Sequence, residues 1–307
     1  MSRPYLIYPH ASYRITFRCA QRRYLLTPGE EINAAIGFWL AHSLARHGLL
    51  LHSFCVMSNH IHLDVTDPHG KVSAFTRDFK GVGARMLNHM RGRWESFWAP
   101  GRGGRARVVR IHDAAHGMAY TITNPVAAGL VANPTAWPGL ISTPADIEAA
   151  ATGERSWTFK RPSFFRSEEE GGTVAPTAIL KLAPHPLAGD DAVAFAQDVQ
   201  KRVREMVGKK VAEVRAAGGR FAGAAAVRRT NPDGCPRTTE DKRTVNPRWA
   251  CQDEELRKYL LKVTRQQEEV YGDVSRDGVR ERAVTRDRER PVAGQRERPV
   301  TGQRERV

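Results

Sequence analysis

The chain is short of cysteine and of acid, and each shortage narrows what it can be. Its four cysteines, Cys19, Cys55, Cys235 and Cys251, stand far apart and form no C-x-x-C pair, which argues against a zinc finger. Four scattered thiols in 307 residues point to a reducing compartment rather than a disulfide scaffold. No apolar run approaches ~18 residues, so no membrane partner is expected, and the first residues lack a charged-then-apolar signal pattern. The expectation is a soluble, cytoplasmic protein. Asp and Glu number 33 against 48 Lys and Arg, a formal charge of +15. An excess of that size favours a polyanionic partner over a merely solubilised surface. Residues 1–144 hold 16 Lys/Arg against 7 acids, residues 145–275 hold 22 against 20, and residues 276–307 hold 10 Arg against 6. Any nucleic-acid footprint should lie in the first half, with the tail assisting by charge.

What is present is a βαββαβα pattern over roughly residues 1–144. Tyr13–Arg18 alternates as a strand, with Ile15 and Phe17 on one face. Thr27 and Pro28 suit an N-cap and first helical position, Ile36, Leu40, Leu44 and His47 mark one helix face, and Gly48 ends the helix. Leu49–Val56 and Ile61–Thr66 are strand-like runs joined by Met57-Ser58-Asn59. A second helix runs from Lys71 to about Arg91, a short strand is expected over Arg107–Ile111, and Asp113 can cap a third helix. The order predicts an α+β fold: an antiparallel sheet with helices packed on it, of ferredoxin-like character. Residues 145–273 read as a mostly helical accessory region, with a strand at Ala178–Ala183, helices at Asp191–Ala217 and Asp253–Tyr271, and a linker or exposed loop at Glu168–Gly172. Residues 274–307 carry an Arg-rich octapeptide repeat (RERAVTRD, RERPVAGQ, RERPVTGQ, RERV) too polar to bury a core, so a disordered tail is expected.

The chemistry concentrates in two segments. In MSNHIHLDV (57–65), period-two spacing puts His60, His62 and Asp64 on one strand face and Ile61, Leu63 and Val65 on the other. Two imidazoles so placed can share a metal, although a lone His-x-His is more often structural. In AYTITNPVAAGLV (119–131), Tyr120 and Asn124 lie four apart on one helix face, while Asn124-Pro125 also reads as the end of one helix and the cap of the next. A core tyrosine beside a helix cap would look the same. Trp94, Phe97 and Trp98, followed by a glycine-rich run with Arg102, Arg105 and Arg107, suit splayed bases and phosphates. Trp98 reads better as a core anchor and the arginines as the binding element, with Lys80 and Arg85 as further DNA contacts.

Together these segments resemble the single-tyrosine His-hydrophobic-His transposases of the insertion-sequence-200 type, and more closely the REP-associated tyrosine transposases. The resemblance rests on Val56-Met57-Ser58-Asn59-His60-Ile61-His62-Leu63 and on Tyr120, Asn124-Pro125-Val126 and Gly129-Leu130-Val131, some 60 residues later. It covers about residues 8–140. It implies a catalytic domain over 1–144, with His60, His62 and Asn124 as metal ligands and Tyr120 as nucleophile. Asp64 inherits no role from the resemblance and remains a further candidate ligand or support. Ligand softness alone would favour zinc; the resemblance implies magnesium or manganese. It also implies single-stranded or hairpin DNA as substrate and a 5′-phosphotyrosine intermediate, with a monomer and a homodimer both open. Three other readings remain: a rolling-circle initiator or relaxase, a domesticated nucleic-acid-binding protein without catalysis, and a metal-dependent phosphoesterase that uses water.

Overall fold

The computed structural model describes residues 7–101, 103–165, 168–169, 172–237, 248–267 and 269, with 168–169 and 172–173 described for their backbone only. The repeat at 274–307 lies outside the described residues. Residues Ile7–Leu261 form one compact unit; the other comprises Met1–Leu6 and Lys262–Val307, and its described residues are helical.

The first six elements of the larger unit are β1 (Ala11–Arg18), α1 (Glu30–His47), β2 (Leu50–Val56), β3 (His60–Asp67), α2 (Val72–Met90) and β4 (Gly104–Val108). Their strands lie in the order β4-β1-β3-β2, all antiparallel, which is the ferredoxin-like arrangement expected. Then follow α3 (Ile111–Ala127), α4 (Pro144–Thr152), β5 (Arg155–Lys160), the short pair β6 (Glu168–Glu169) and β7 (Gly172–Thr173), β8 (Thr177–Leu182), α5 (Ala192–Ala216) and α6 (Ala224–Arg228). Residues after 145 do not stand apart as helical decoration. β8 pairs parallel to β2 at Leu51–Leu182, and β5 pairs antiparallel to β8, so the sheet grows to six strands. The run at Glu168–Thr173, expected as a loop, forms the two-stranded β6–β7 pair.

Alternation sorts the sheet into two unlike faces. Tyr13, Ile15 and Phe17 of β1 and Ile61, Leu63 and Val65 of β3 are buried in the main core. Phe17 stacks on Phe79 of α2 at 5.0 Å, which places α1 and α2 on this side. The opposite face, Ser12, Arg14, Thr16, His62, Asp64 and Thr66, is polar and is covered by α3, as the Thr121–Asp64 bond shows. Every one of its polar groups therefore needs a partner in a place where water is scarce.

Four helix ends differ from what their local signals suggest. Thr27 does not cap α1: Gly29 is its N-cap, and the Thr27 hydroxyl donates to the carbonyls of Tyr24 and Thr230. Asp67 does the capping of α2, its carboxylate accepting from the backbone N–H of Lys71 (2.9 Å) and Val72 (2.6 Å). Asp113 sits inside the first turn of α3, where Arg110 is the N-cap, and pairs with Arg110 and the N–H of Gln252. Pro125 does not restart a helix; α3 runs through it to Ala127, since Val126 is drawn into a cluster with Cys55, Met57 and Trp137. The strand expected at Arg107–Ile111 begins earlier, at Gly104. Gly48 ends α1 as expected, with φ of 67°, a region where a side chain is disfavoured.

A buried histidine pair ties the later strands to the core. His52 donates from Nδ1 to the carbonyl of Ala183 (2.9 Å), so its Nε2 accepts from the Thr66 hydroxyl (2.8 Å). Its ring lies 4.6 Å from that of His185. Burial pushes His52 down to about 4 and lowers His185 further, with His52 adding to the effect. A folded state that resists protonation loses stability as pH falls below the unfolded value of about 6.5. His52 alone should remove about 2 kcal/mol by pH 5 relative to pH 7.5. Denaturant midpoints at the two pH values test this; equal midpoints would exclude it.

Candidate active site

β3 opens with the two histidines, and the peptide before it orients the first. The side-chain N–H2 of Asn59 donates to the carbonyl of Arg22 (3.2 Å), which fixes the amide so that Oδ1 faces His60 Nδ1 at 2.7 Å. His60 must therefore carry its proton on Nδ1 and present Nε2 as a lone pair when neutral. His62 is turned the same way by Thr16 of β1, whose hydroxyl lies 3.1 Å from Nδ1. Burial, then the charges of His60, Arg14 and Arg18, hold the His62 imidazole well below its ordinary range, so it is neutral. Both rings thus show the pattern seen at metal sites, with the outer nitrogen held by a partner and the inner one turned toward Asn124.

Asn124 of α3 sits between the inner nitrogens. Its Oδ1 lies 3.2 Å from His60 Nε2, and its Nδ2 lies 3.2 Å from His62 Nε2. One of these contacts is a hydrogen bond; in the other a carbonyl lone pair faces an imidazole lone pair. Either a proton on His60 Nε2 or a cation held by both atoms meets such a contact. The set His60, His62 and Asn124 therefore fits a metal by its chemistry: three neutral donors that would leave the ion its full charge. Among the described residues, no group of three or more His, Cys, Asp or Glu could hold one.

Tyr120 lies one turn before Asn124. Its ring stands edge-on to that of His62, with centroids 5.7 Å apart, and the residue is 43% exposed while its helix neighbours are buried. The structure brings together all four residues singled out for chemistry, from a strand and a helix some 60 residues apart. An accessible phenol beside two imidazoles and an amide can attack an electrophile that they bind.

Asp64 shares the strand face of His62 but is no candidate ligand. Its carboxylate is fully used by Arg14 Nε (3.1 Å), the Ser53 hydroxyl (2.6 Å) and the Thr121 hydroxyl (2.6 Å). Arg14 reaches it by lying across α3 at Gly117, where an added Cβ would fall 0.9 Å from the guanidinium. Only glycine allows that crossing. The result is a tie between the residue two after His62 and the residue next to Tyr120.

Residues 8–102 match the family model described as Transposase IS200 like. The matched stretch holds His60 and His62; Tyr120 and Asn124 come after it. Among solved structures, a REP-associated tyrosine transposase bound to a REP hairpin is 17% identical, over 48% of this chain and 85% of its own, with a TM-score of 0.40. A candidate transposase from Deinococcus radiodurans R1 is 20% identical, over 36% of this chain and 85% of its own, with a TM-score of 0.28. No curated protein matches.

The basic residues expected on DNA fare differently from His60, His62, Tyr120 and Asn124. Arg105 is buried and donates to Ser73 (3.0 Å). Arg107 is stacked between the rings of Tyr8 and Trp249, at 4.3 and 5.2 Å. Both hold β4 in place rather than offering free charge. Lys80 holds the loop carbonyls of Ala99 and Gly101, and it belongs to α2, across the sheet from Tyr120. Arg85 is exposed on the same helix. Arg102 lies outside the described residues. Phe97 and Trp98 are core, while Trp94 is 90% exposed. Missed from the sequence were Asn59 and Thr16, which orient the histidines. Thr16 was discoverable, since it alternates with Ile15 and Phe17 and so had to share a face with Arg14. Among the described residues, no helix is long and apolar enough to cross a membrane.

Proposed function

We propose that the protein is a transposase that cuts and rejoins single-stranded DNA, with Tyr120 as nucleophile and His60, His62 and Asn124 as holders of a divalent ion. The observation that carries the proposal is the edge contact between Tyr120 and His62 beside the converging His60, His62 and Asn124 donors. A magnesium or manganese ion bound there would polarise a phosphodiester and offset the charge that builds on its oxygens. The phenol oxygen attacks phosphorus in line, the P–O3′ bond breaks, and the phenol's proton is balanced by the one the departing 3′ oxygen takes from solvent. The phosphoryl group then rests on Tyr120 as a 5′-phosphotyrosine. Attack by another 3′ hydroxyl reverses the step and rejoins DNA without an outside energy source, since the phosphodiester is conserved in the tyrosyl ester. His62, neutral through burial, cannot act as an acid here and serves as a donor of its lone pair.

The test is incubation with a single-stranded hairpin and manganese, followed by a denaturing gel. A DNA-linked species is expected, and chelator should remove it while leaving most backbone binding in place. His60→Ala and His62→Ala should each abolish the adduct and weaken manganese binding measured by calorimetry. Asn124→Ala should be intermediate, because water can replace one neutral oxygen. DNA cut without an adduct would mean water is the nucleophile and the proposal is wrong.

A further inference from the structure

Between Asp113 and Val126, every residue of α3 is buried except His116 and Tyr120. With His112, which is exposed, they form a single accessible stripe at intervals of four, about 12 Å long from the rise of a helix. Arg202 and Gln252 flank His112, the latter 3.1 Å from its Nε2, and Asp113 also bears on His116. Arg202 of α5 donates to His112 Nδ1 (3.1 Å), and its charge acts on His116, as does that of Arg14. Asp198 holds Arg202 (2.9 Å), Asp64 holds Arg14 and Asp113 holds Arg110, so these pairs leave little net charge of either sign. Along the stripe itself, His112, His116, Tyr120 and the adjoining Arg202 offer N–H and O–H donors and no carboxylate, which suits the oxygens of a chain of phosphates.

We propose that the stripe His112–His116–Tyr120, with Arg202 beside it, is the track along which the sugar–phosphate backbone of a single DNA strand lies as it enters the nucleophile's reach. This rests on the function proposed above and adds to it that α5, far beyond the family match, supplies a substrate contact. Its contacts are to phosphate, so they carry no base preference.

The test uses full-length protein with Tyr120→Phe, which binds without reacting, and a labelled oligothymidylate of about 12 nucleotides, within the usual range of site sizes. Arg202→Gln and His116→Gln should each weaken binding, by up to about tenfold for the charged contact. Removing one cation from the phosphate track should also lower the salt slope by about 0.7. Arg204→Gln removes equal charge from another side of α5, where Arg204 is exposed, and should change neither. Arg202→Lys, which retains charge, should keep most of the affinity and guards against misreading a folding defect. If Arg202→Gln and His116→Gln bind like their parent, or Arg204→Gln is equally harmful, the track is wrong. An adduct formed by wild-type protein in the same series would then show that the proposed function survives. Absence of both adduct and oligothymidylate binding would overturn function and track together. Weakened binding by the variants without any adduct would keep the track and remove only the chemistry.

Discussion

Replacing Tyr120 by Phe should leave affinity for single-stranded DNA within about twofold and reduce covalent adduct by at least ~10⁴-fold, a loss of the size seen when a nucleophile is deleted. The physical case is narrow. Tyr120 is 43% exposed, and its ring meets His62 edge-on at 5.7 Å, a contact that the Phe ring reproduces. The change therefore removes one oxygen and neither packing nor charge. Melting temperature should not move, and manganese should bind as before, since His60, His62 and Asn124 are untouched. The paired readout matters because a general loss of binding would also remove adduct. An adduct persisting at more than a few per cent of wild type would assign the nucleophile elsewhere, with Tyr5, Tyr8, Tyr13 and Tyr24 as the leading substitutes. Tyr13 is a poor substitute, being buried in the core with its phenol raised by that burial.

The site was legible in the sequence to the extent that it obeys local periodicity. His60 and His62 share a face because strands have a period of two, and Tyr120 and Asn124 share one because helices return after four residues. What periodicity cannot say is which faces meet, and the family resemblance supplied that expectation. The rest was hidden for a common reason. Arg14 and Asp64 are 50 residues apart, and Thr121 reaches Asp64 across 57, so nothing in any short window marks them as partners. Gly117 looks like a weak spot in a helix until Arg14 is seen lying across it. Arg105 and Arg107 read as free charge because a run of Gly and Arg looks like a loop. In the fold they belong to an edge strand whose long side chains find Ser73, Tyr8 and Trp249. Within residues 145–261 the strand at Ala178–Ala183 and the helix at Asp191–Ala217 were legible from local pattern, as β8 and α5, but their place in the fold was not. β5 and β8 find their place only after the earlier strands have built an edge for them, and contacts at long sequence separation leave no local trace.

Asp64→Ala should be the most destabilising single change at the site and should silence it without touching any residue that meets DNA. Asp64 is 4% exposed and accepts from three donors at once. Removing the carboxylate leaves the charge of Arg14, whose side chain is 18% exposed, without its anion, and strands two buried hydroxyls. Breaking a buried pair from one side costs about 3–5 kcal/mol. For a unit of this size that is a fall in melting temperature of roughly 10 °C. Asp64→Asn separates packing from chemistry. It fills the same space and can still accept from Arg14, but its NH₂ meets Ser53 and Thr121 only as a donor to their hydroxyl oxygens, whose own protons then lose the carboxylate. The fold should survive with a smaller loss, while the rate of adduct formation drops because a charge-assisted tie from Thr121 to the strand becomes a weaker neutral one. Manganese affinity should change little, as Thr16 and Asn59 still orient the histidines. Thr121→Val, which cuts the tie outright, should give at least the same rate defect, Thr121→Ser should keep the rate near wild type, and the double variant Asp64→Asn with Thr121→Val should be no slower than Thr121→Val alone. Additive losses would mean the two residues act separately. A Thr121→Val protein that forms adduct at the wild-type rate would show that the helix needs no tie to the strand to aim its tyrosine.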